Sequence, residues 1–302
     1  MTPRFPLPCI RGRMTLSAPL DRITWFRVGG PAEAMARPVD RADLRVLLAS
    51  LPEDVPLTVL GVASNTLVRD GGIDGIVVRL GRGFADIRAE GGAVAAGAAA
   101  LCANVARAAA DAGLGGLEFL SGIPGTVGGA LAMNAGAYGR ETGDVLIDAD
   151  TMTRGGEVER LFNADFGFRY RGNGLEKDRI FLSARFRGIR RSSQEVRGAM
   201  AEFAAAREAS QPIRTRTGGS TFRNPKDAKA WELIDRAGCR GLRRGGAMVS
   251  EMHCNFLVNT GSASAADLED LAEDVRARVL AATGVGLEWE IERVGRRGAP
   301  PA

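Results

Sequence analysis

The chain has 302 residues, enough for two or three domains with their own hydrophobic cores. Hydrophobic residues make up 45% and charged residues 25% of the sequence, which excludes a disordered chain and predicts a globular protein. The net charge is only +4, and basic and acidic residues are interspersed, so a nucleic-acid-binding surface is the weaker hypothesis.

Cysteine and histidine usage makes a metal centre improbable, and we predict no metal site. The four cysteines form no Cys-x-x-Cys pair, and His253 is the single histidine. The uncharged run 119–139 is long enough to span a membrane, but its six glycines and Pro124 argue against a span. Since the chain also starts without an apolar secretory segment, we expect a cytoplasmic protein with no membrane partner.

Helices and short strands follow one another without a strict βαβ rhythm. Helical spacing of apolar residues is clear from Asp40 to Leu48, around Val105 up to Gly113, over 194–209, from Trp231 to Gly238, and from Ser264 to Gly284. Strand-like runs occupy 56–61, 75–80, 146–153 and 181–186, and Gly155–Gly156 predicts a hairpin. The sequence therefore predicts a mixed α+β protein.

Two glycine-bearing stretches are candidates for ligand binding. SGIPGTVGGALAMNAGAYG, residues 121–139, is too glycine-rich for an ordinary helix, and its bare backbone allows a flat or phosphorylated ligand to approach closely. LGVASNTLVRDGG, residues 60–72, follows an apolar strand and predicts a turn whose backbone N–H groups face an anion. Neither stretch has Rossmann or P-loop spacing, and tight turns between packed strands are an equally good explanation of each alone.

Three further stretches carry polar side chains with two interpretations each. In FGFRYRGNG, 166–174, an arginine between aromatics is either a surface residue or a cation for a carboxylate. In GGSTFRNP, 218–225, the serine is part of a turn or faces a ligand. In GLEWEIERVG, 286–295, alternating glutamates are typical of the solvated face of a strand.

Taken in order, the motifs of this chain resemble the UDP-N-acetylenolpyruvoylglucosamine reductase (MurB) family of flavoenzymes. The resemblance spans nearly the whole chain and matches the short form of the family, which lacks an extra tyrosine-bearing loop. The matching segments are TWFRVGGPAE (24–33), LGVASNTLVRDGGIDGIVVRL (60–80), GLEFLSGIPGTVGGALAMNAGAYG (116–139), FRYRG (168–172), GGSTFRNP (218–225), GLRRGGAMVSEMHCNFLVN (241–259) and LEWEIERVG (287–295).

The resemblance implies an FAD-binding domain of the p-cresol methylhydroxylase type, with two subdomains, over 20–190. A C-terminal α+β substrate domain would cover 196–297, with flexible ends at 1–19 and 298–302. The implied FAD-binding residues form a phosphate turn and a wall for the isoalloxazine ring. They are Gly61, Ala63, Ser64 and Asn65 in the turn, and Gly122, Ile123, Pro124, Gly125, Thr126, Gly128, Gly129, Asn134, Gly136 and Ala137 in the wall.

The implied reaction serves the synthesis of peptidoglycan precursors. NADPH reduces FAD, and the flavin then delivers hydride to C3 of the enolpyruvyl ether of UDP-N-acetylglucosamine, giving UDP-N-acetylmuramate. Arg171 and Glu290 match the residues that stabilise charge on the substrate carboxylate, and Ser220 matches the proton donor to C2. Asn224 and His253 are the implied substrate-binding residues, although His253 is equally well explained as a packed hydrogen-bonding residue.

Three departures from the family pattern lead to further expectations. Ala63 stands where glycine is usual, so we expect it to keep a negative φ. Met252 replaces a frequent lysine, and Gly172 to Gly174 form an uncommon continuation after Arg171. We expect a monomer, with a weak dimer as the alternative. Two other functions stay open: a different oxidoreductase of the same FAD superfamily, and a non-catalytic nucleotide-sugar-binding protein.

Overall fold

The computed structural model describes residues 4–298 of the chain, which divide into two compact units. The first unit consists of residues 4–16, 34–61 and 75–207. The second consists of 17–33, 62–74 and the chain from 208 onward. The outermost parts of the two predicted flexible ends, 1–3 and 299–302, lie outside the described residues.

Helices form where the sequence places capping residues before apolar periodic runs. Asp40 caps α1 by accepting a hydrogen bond from Asp43 N at 2.8 Å. Ser264 and Asp267 form a reciprocal capping box at the start of α6, which ends at Gly284 in the left-handed conformation. No helix among residues 4–298 has the length and hydropathy needed to cross a membrane. The helices are α1 Arg41–Ala49, α2 Cys102–Asp111, α3 Val127–Met133, α4 Ser193–Ser210, α5 Ala230–Arg236 and α6 Ala265–Thr283.

The strands are short and assemble into several small sheets. They are β1 Arg13–Ala18, β2 Ala32–Arg37, β3 Leu57–Val59, β4 Thr66–Val68, β5 Ile73–Val78, β6 Ile87–Glu90, β7 Ala93–Gly97, β8 Leu114–Gly115, β9 Gly136–Ala137, β10 Arg140–Glu141, β11 Leu146–Met152, β12 Val158–Phe162, β13 Ile180–Arg187, β14 Ile189–Arg190, β15 Arg243–Arg244, β16 Ala247–Val249, β17 Leu257–Asn259 and β18 Glu292–Val294. The predicted hairpin at Gly155–Gly156 is confirmed, since β11 pairs antiparallel with β12.

Two larger sheets, two hydrophobic cores and two short strand pairs build the first unit. The first sheet has the strand order β1-β2-β5-β3, and the second has the order β12-β11-β13-β7-β6. Leu44, Leu47 and Leu48 on the apolar face of α1 enter the core of the first sheet. The core beside the second sheet contains the buried faces of α2 and α3. Two separate cores agree with the predicted two-subdomain architecture.

The second unit has one core, around α5, α6 and the sheet β15-β16-β17. The early segment 62–74 belongs to this unit because several interactions fasten it to the end of the chain. Strand β4 pairs parallel with β18, and Asp70 accepts hydrogen bonds from the first two N–H groups of α6, both at 2.9 Å. Arg69 donates two hydrogen bonds to Glu269, whose side chain is only 2% exposed. The division therefore differs from a continuous domain over 20–190.

Two sequence-based expectations about local structure are wrong. Residues 13–18, assigned to a flexible end, form β1 at the edge of the first sheet. Residues 127–133, judged too glycine-rich for a helix, form α3. Thr126 caps α3, and the apolar residues of the helix are buried in the core. Tertiary packing therefore outweighs the low helix propensity of glycine.

Candidate active site

The turn after β3 presents a row of backbone donors. Among residues 4–298, no protein acceptor receives the N–H groups of Val62, Ala63 and Ser64. Ala63 has φ +51° and is buried, so the expectation of a negative φ at this position is wrong. A left-handed residue beside ordinary ones turns successive N–H groups toward one side, which creates a concave anion site. The turn therefore has the geometry of an anion site, and the assignment of Ala63 and Ser64 to FAD stays a prediction.

Asn65 ties the end of this turn to the strand-like segment that carries Glu290. Its side-chain amide donates to Glu290 O at 3.0 Å, and its own carbonyl accepts from Glu292 N at 3.0 Å. The side chain of Asn65 thus fixes the position of the turn rather than extending the row of free donors.

Gly61 and Gly122 lack room for a side chain. A Cβ at Gly61 would lie 2.6 Å from Thr126 Oγ1, and a Cβ at Gly122 would lie 2.6 Å from Tyr138 Cε2. Real Cβ atoms do not approach so closely, so a larger residue at either position would force the neighbouring side chain to move. The contact at Gly61 places this glycine, the last residue before Val62, next to Thr126 of the glycine-rich stretch.

The N–H groups around the start of α3 are already used inside the protein. Val127 and Gly128 donate to carbonyl oxygens of Ala100 and Ala98, at 2.9 and 2.8 Å. Gly129 N donates to Thr126 Oγ1 at 3.4 Å, and Gly125 N to Ile123 O at 2.9 Å. Ile123 is buried, with Pro124 following it outside regular structure, while Gly136 and Ala137 pair with β10. These predicted cofactor residues therefore offer surface and shape rather than free donors.

Asn134 holds the far end of the glycine-rich stretch in place. It ends α3 with φ +46° and is 2% exposed. Its side-chain nitrogen donates to Glu141 Oε2 at 2.7 Å and to Arg169 O at 3.2 Å, and its oxygen accepts from Gly143 N at 2.9 Å. Because these bonds use both amide hydrogens, the side chain of Asn134 supports the loop of Arg171.

Arg171 lies in a tight turn of the first unit. Arg169 and Gly172 exchange two backbone hydrogen bonds at 3.0 and 3.1 Å, which places Arg171 at φ +57°. Its guanidinium carbon lies 5.0 Å from the centre of the Tyr170 ring, and the side chain is half-buried. Stacking on an aromatic face holds the planar guanidinium in a defined orientation, which suits a carboxylate ligand.

Ser220 and Glu290 lie on adjacent extended segments of the second unit. Glu290 N donates to Thr221 O, and Arg223 N donates to Glu288 O, both at 2.9 Å. On its other side, Ser220 forms a bridge with Phe256. Both Ser220 and Glu290 are half-buried, so each is sheltered while still accessible. The structure thus brings two of the three predicted catalytic residues into one three-stranded arrangement.

Sequence reasoning missed Asn255, which fixes this arrangement. Its side-chain oxygen accepts from Phe222 N at 2.9 Å, and its nitrogen donates to Phe222 O at 2.8 Å. Asn255 is 4% exposed, and its own carbonyl accepts from Thr221 N at 2.7 Å. The sequence did offer a signal for this role: Asn255 is a polar amide within the apolar run after His253, and a buried amide requires hydrogen-bond partners.

The two predicted substrate-binding residues have clear structural partners. Asn224 Oδ1 accepts from Ala230 N at 3.0 Å, so this side chain caps the first turn of α5. His253 accepts from Asn255 N at 3.3 Å through Nδ1 and packs edge-on against Phe256, with ring centres 4.8 Å apart. Burial lowers the pKa of His253, and the charge of Arg240 lowers it further. Met252, the departure next to it, is about half exposed.

Comparisons with known proteins match two successive regions of the chain. Residues 32–161 match the family described as FAD binding domain, and residues 211–294 match the C-terminal domain of UDP-N-acetylenolpyruvoylglucosamine reductase. The reductase of Parvibaculum lavamentivorans is 57% identical over 291 residues, which are 96% of this chain and 94% of that protein. The chain belongs to the UDP-N-acetylenolpyruvoylglucosamine reductase family. The family resemblance inferred from the motifs is thereby confirmed.

Solved structures agree with this family membership. The MurB reductase from Thermus caldophilus is 36% identical, with a TM-score of 0.82 over 94% of this chain and 99% of that chain. A second similar structure, 6-hydroxy-D-nicotine oxidase from Arthrobacter nicotinovorans, has a TM-score of 0.57 at 13% identity, covering 94% of this chain and 89% of that chain. At that identity the likeness concerns the fold alone, and the predicted FAD-binding fold class is confirmed.

Proposed function

We propose that this chain reduces the enolpyruvyl ether of UDP-N-acetylenolpyruvoylglucosamine to UDP-N-acetylmuramate, with FAD as cofactor and NADPH as reductant. The observation that supports this most directly is the pairing of the Ser220 and Glu290 segments in a chain of this family. The donor row of Val62 to Ser64 and the close packing at Gly61 and Gly122 support the assignment of FAD. We further propose that the protein acts as a monomer.

FAD, when bound, supplies the hydride that passes from NADPH to the substrate. In our proposal the N–H groups of Val62, Ala63 and Ser64 hold its diphosphate. The stretch 122–137 covers one side of the cofactor with largely apolar surface, and the N–H groups of Gly125 and 127–129 are already paired within the protein. An apolar, donor-poor wall leaves the charge distribution around the reacting atoms to a few fixed groups.

The residues proposed for chemistry act on the two ends of the vinyl ether. Hydride addition to C3 leaves negative charge at C2, which spreads into the neighbouring carboxylate. Arg171 binds that carboxylate with its oriented guanidinium, and a protonated Glu290 donates a hydrogen bond to it. The Ser220 hydroxyl then transfers its proton to C2, so that one hydride and one proton complete the reduction.

The test separates the two half-reactions in a stopped-flow experiment with Ser220→Ala. NADPH should bleach the flavin of this variant at close to the wild-type rate, because C2 chemistry takes no part in that step. Reoxidation of the reduced flavin by the enolpyruvyl substrate should slow by at least about 100-fold. Ser262→Ala, an exposed serine of the same unit, is the matched control and should leave both steps unchanged.

Different outcomes point to the alternative functions. Equal slowing of both half-reactions would contradict the role given to Ser220. Turnover of an alcohol with oxygen and without NADPH would favour another oxidoreductase of the superfamily. A purified protein that stays colourless after incubation with FAD would favour a non-catalytic nucleotide-sugar-binding protein.

A further inference from the structure

Two arginines lie side by side where the strands of the first sheet end. Arg37 is the last residue of β2, and Arg79 directly follows the neighbouring β5. Strands β2 and β5 are parallel, because Ile73 N donates to Pro31 O and, further along both strands, Arg79 N donates to Ala36 O. Since β3 is also parallel to β5, the three carboxyl ends meet at one edge. Ligands of open α/β sheets bind at such edges.

The charges of this pair are not compensated within the described part of the chain. Among residues 4–298, no carboxylate forms an ion pair with Arg37 or Arg79. Arg37 Nε is buried and has no hydrogen-bond partner. Burial lowers the pKa of Arg79, and the adjacent charge of Arg37 lowers it further. Other arginines of the protein behave differently; Arg69 and Arg185, for example, each pair with a carboxylate.

The position of the pair indicates its ligand. Arg79 Nε donates to Gly61 O at 3.3 Å, and Gly61 immediately precedes the donor row of Val62 to Ser64. Two adjacent, partly desolvated guanidinium groups repel each other unless an anion lies between them or beside them. The fork of N–H donors on each guanidinium matches the oxygen atoms of a phosphate.

We propose that Arg37 and Arg79 form a phosphate clamp for FAD and contribute ionic contacts to its diphosphate. The clamp rests on FAD binding alone and is independent of the roles proposed for Ser220, Glu290 and Arg171. It differs from the predicted cofactor contacts, all of which lie in the turn and the glycine-rich stretch.

The experiment measures FAD affinity by quenching of flavin fluorescence on titration of the FAD-free protein. Arg37→Gln and Arg79→Gln should each raise the dissociation constant for FAD by about 10- to 100-fold, the range for a lost charge-assisted hydrogen bond. Arg88→Gln removes an exposed arginine of the same unit and should change the constant less than about twofold. Arg79→Lys, which keeps the charge, should recover part of the affinity.

Ionic strength and phosphate-free ligands distinguish the clamp from a structural role. Wild-type affinity for FAD should weaken as salt rises, and this dependence should be smaller in both Gln variants. ADP should compete with FAD for the wild-type protein and compete poorly for the variants, whereas adenosine should bind all of them alike. Thermal melting of the FAD-free variants checks that they fold.

Three results would overturn the proposal. One is an unchanged FAD affinity in folded Gln variants. Another is an equal loss of affinity for adenosine and ADP, which would mean that the substitutions act on the fold. A third is unchanged FAD affinity with a raised half-saturating NADPH concentration for flavin bleaching, which would assign the pair to the second nucleotide. Failure of the proposed reaction alone would leave FAD titrations as expected.

Discussion

The packing of Gly61 against Thr126 makes a specific prediction for Gly61→Ala. The new Cβ would lie 2.6 Å from Thr126 Oγ1, roughly 1 Å closer than an ordinary contact. Because φ of Gly61 is outside the left-handed region, the backbone itself accepts alanine. Thr126 must therefore rotate, and its Oγ1 loses the bond from Gly129 N that caps α3.

The magnitude follows from these two changes. Loss of the cap costs about 1 kcal/mol, and a strained Thr126 rotamer adds about 1 kcal/mol. The reduced freedom of the unfolded chain returns roughly 0.5 kcal/mol. We therefore expect Gly61→Ala to lower the free energy of unfolding by about 1.5 kcal/mol and to weaken FAD binding, because both cofactor stretches shift.

A double-mutant cycle isolates the contact. Thr126→Ala alone should cost about 1 kcal/mol through the lost cap, and adding Gly61→Ala to it should cost almost nothing further. Urea unfolding of the FAD-free proteins gives the four free energies. Gly81→Ala, where no atom lies within 4 Å of the added Cβ, is the control and should be close to neutral. Strictly additive effects of Gly61→Ala and Thr126→Ala would refute the reasoning.

Three further predictions concern the second unit. Burial lowers the pKa of His253, so the unfolded chain binds a proton at this residue more readily than the folded chain. The contribution of neutral His253 to stability is therefore present above about pH 6.5 and is lost as pH falls through the folded-state pKa. Urea unfolding at pH 7.5 and 5.5 should show a smaller loss of stability at the lower pH in His253→Gln than in the wild type. Asn255→Ala leaves the backbone N–H and C=O of Phe222 unpaired and should lower the free energy of unfolding by about 2–4 kcal/mol. Reoxidation of the flavin by substrate should be lost as well. A decrease in the free energy of unfolding below about 1 kcal/mol would contradict the role assigned to this amide. Ala63→Gly removes the strain of an alanine in the left-handed conformation, but glycine adds an entropy cost to folding. The net effect should be neutral or should stabilise the protein by up to about 1 kcal/mol. Clear destabilisation on chemical denaturation would show that the φ of +51° carries no strain.

Local signals in the sequence predict most of the helices. Ser264, Asp267 and Gly284 define both ends of α6, and Asp40 defines the start of α1, because capping depends only on neighbouring residues. The helix α3 was missed for the opposite reason. Its stability comes from burial of Val127, Ala130 and Leu131 in a core formed by distant segments, which local propensity does not contain.

In the candidate site, too, features that depend on contacts between distant segments could not be predicted from local sequence. The family resemblance predicts Arg171, Ser220 and Glu290 as catalytic residues, and the structure places the segments of Ser220 and Glu290 next to each other. The clamp arginines, by contrast, were not among the predicted site residues. Arg37 lies outside the matching segments, Arg79 lies near the end of one, and only their shared sheet edge relates them. The φ of Ala63 was predicted with the wrong sign. The residue type alone shows that a positive φ is costly for alanine, but it does not show that this conformation arranges backbone N–H groups as an anion site.

The pairing of β4 with β18 has a consequence for how the protein is made. Asn65 and its partner Glu290 are separated by 225 positions, so a ribosome must synthesise nearly the whole chain before the phosphate turn acquires its support. Contacts of such high sequence separation form late and slowly. A nascent chain that is released early would therefore carry the glycine-rich stretch without this support, and we expect FAD to bind only after synthesis is essentially complete.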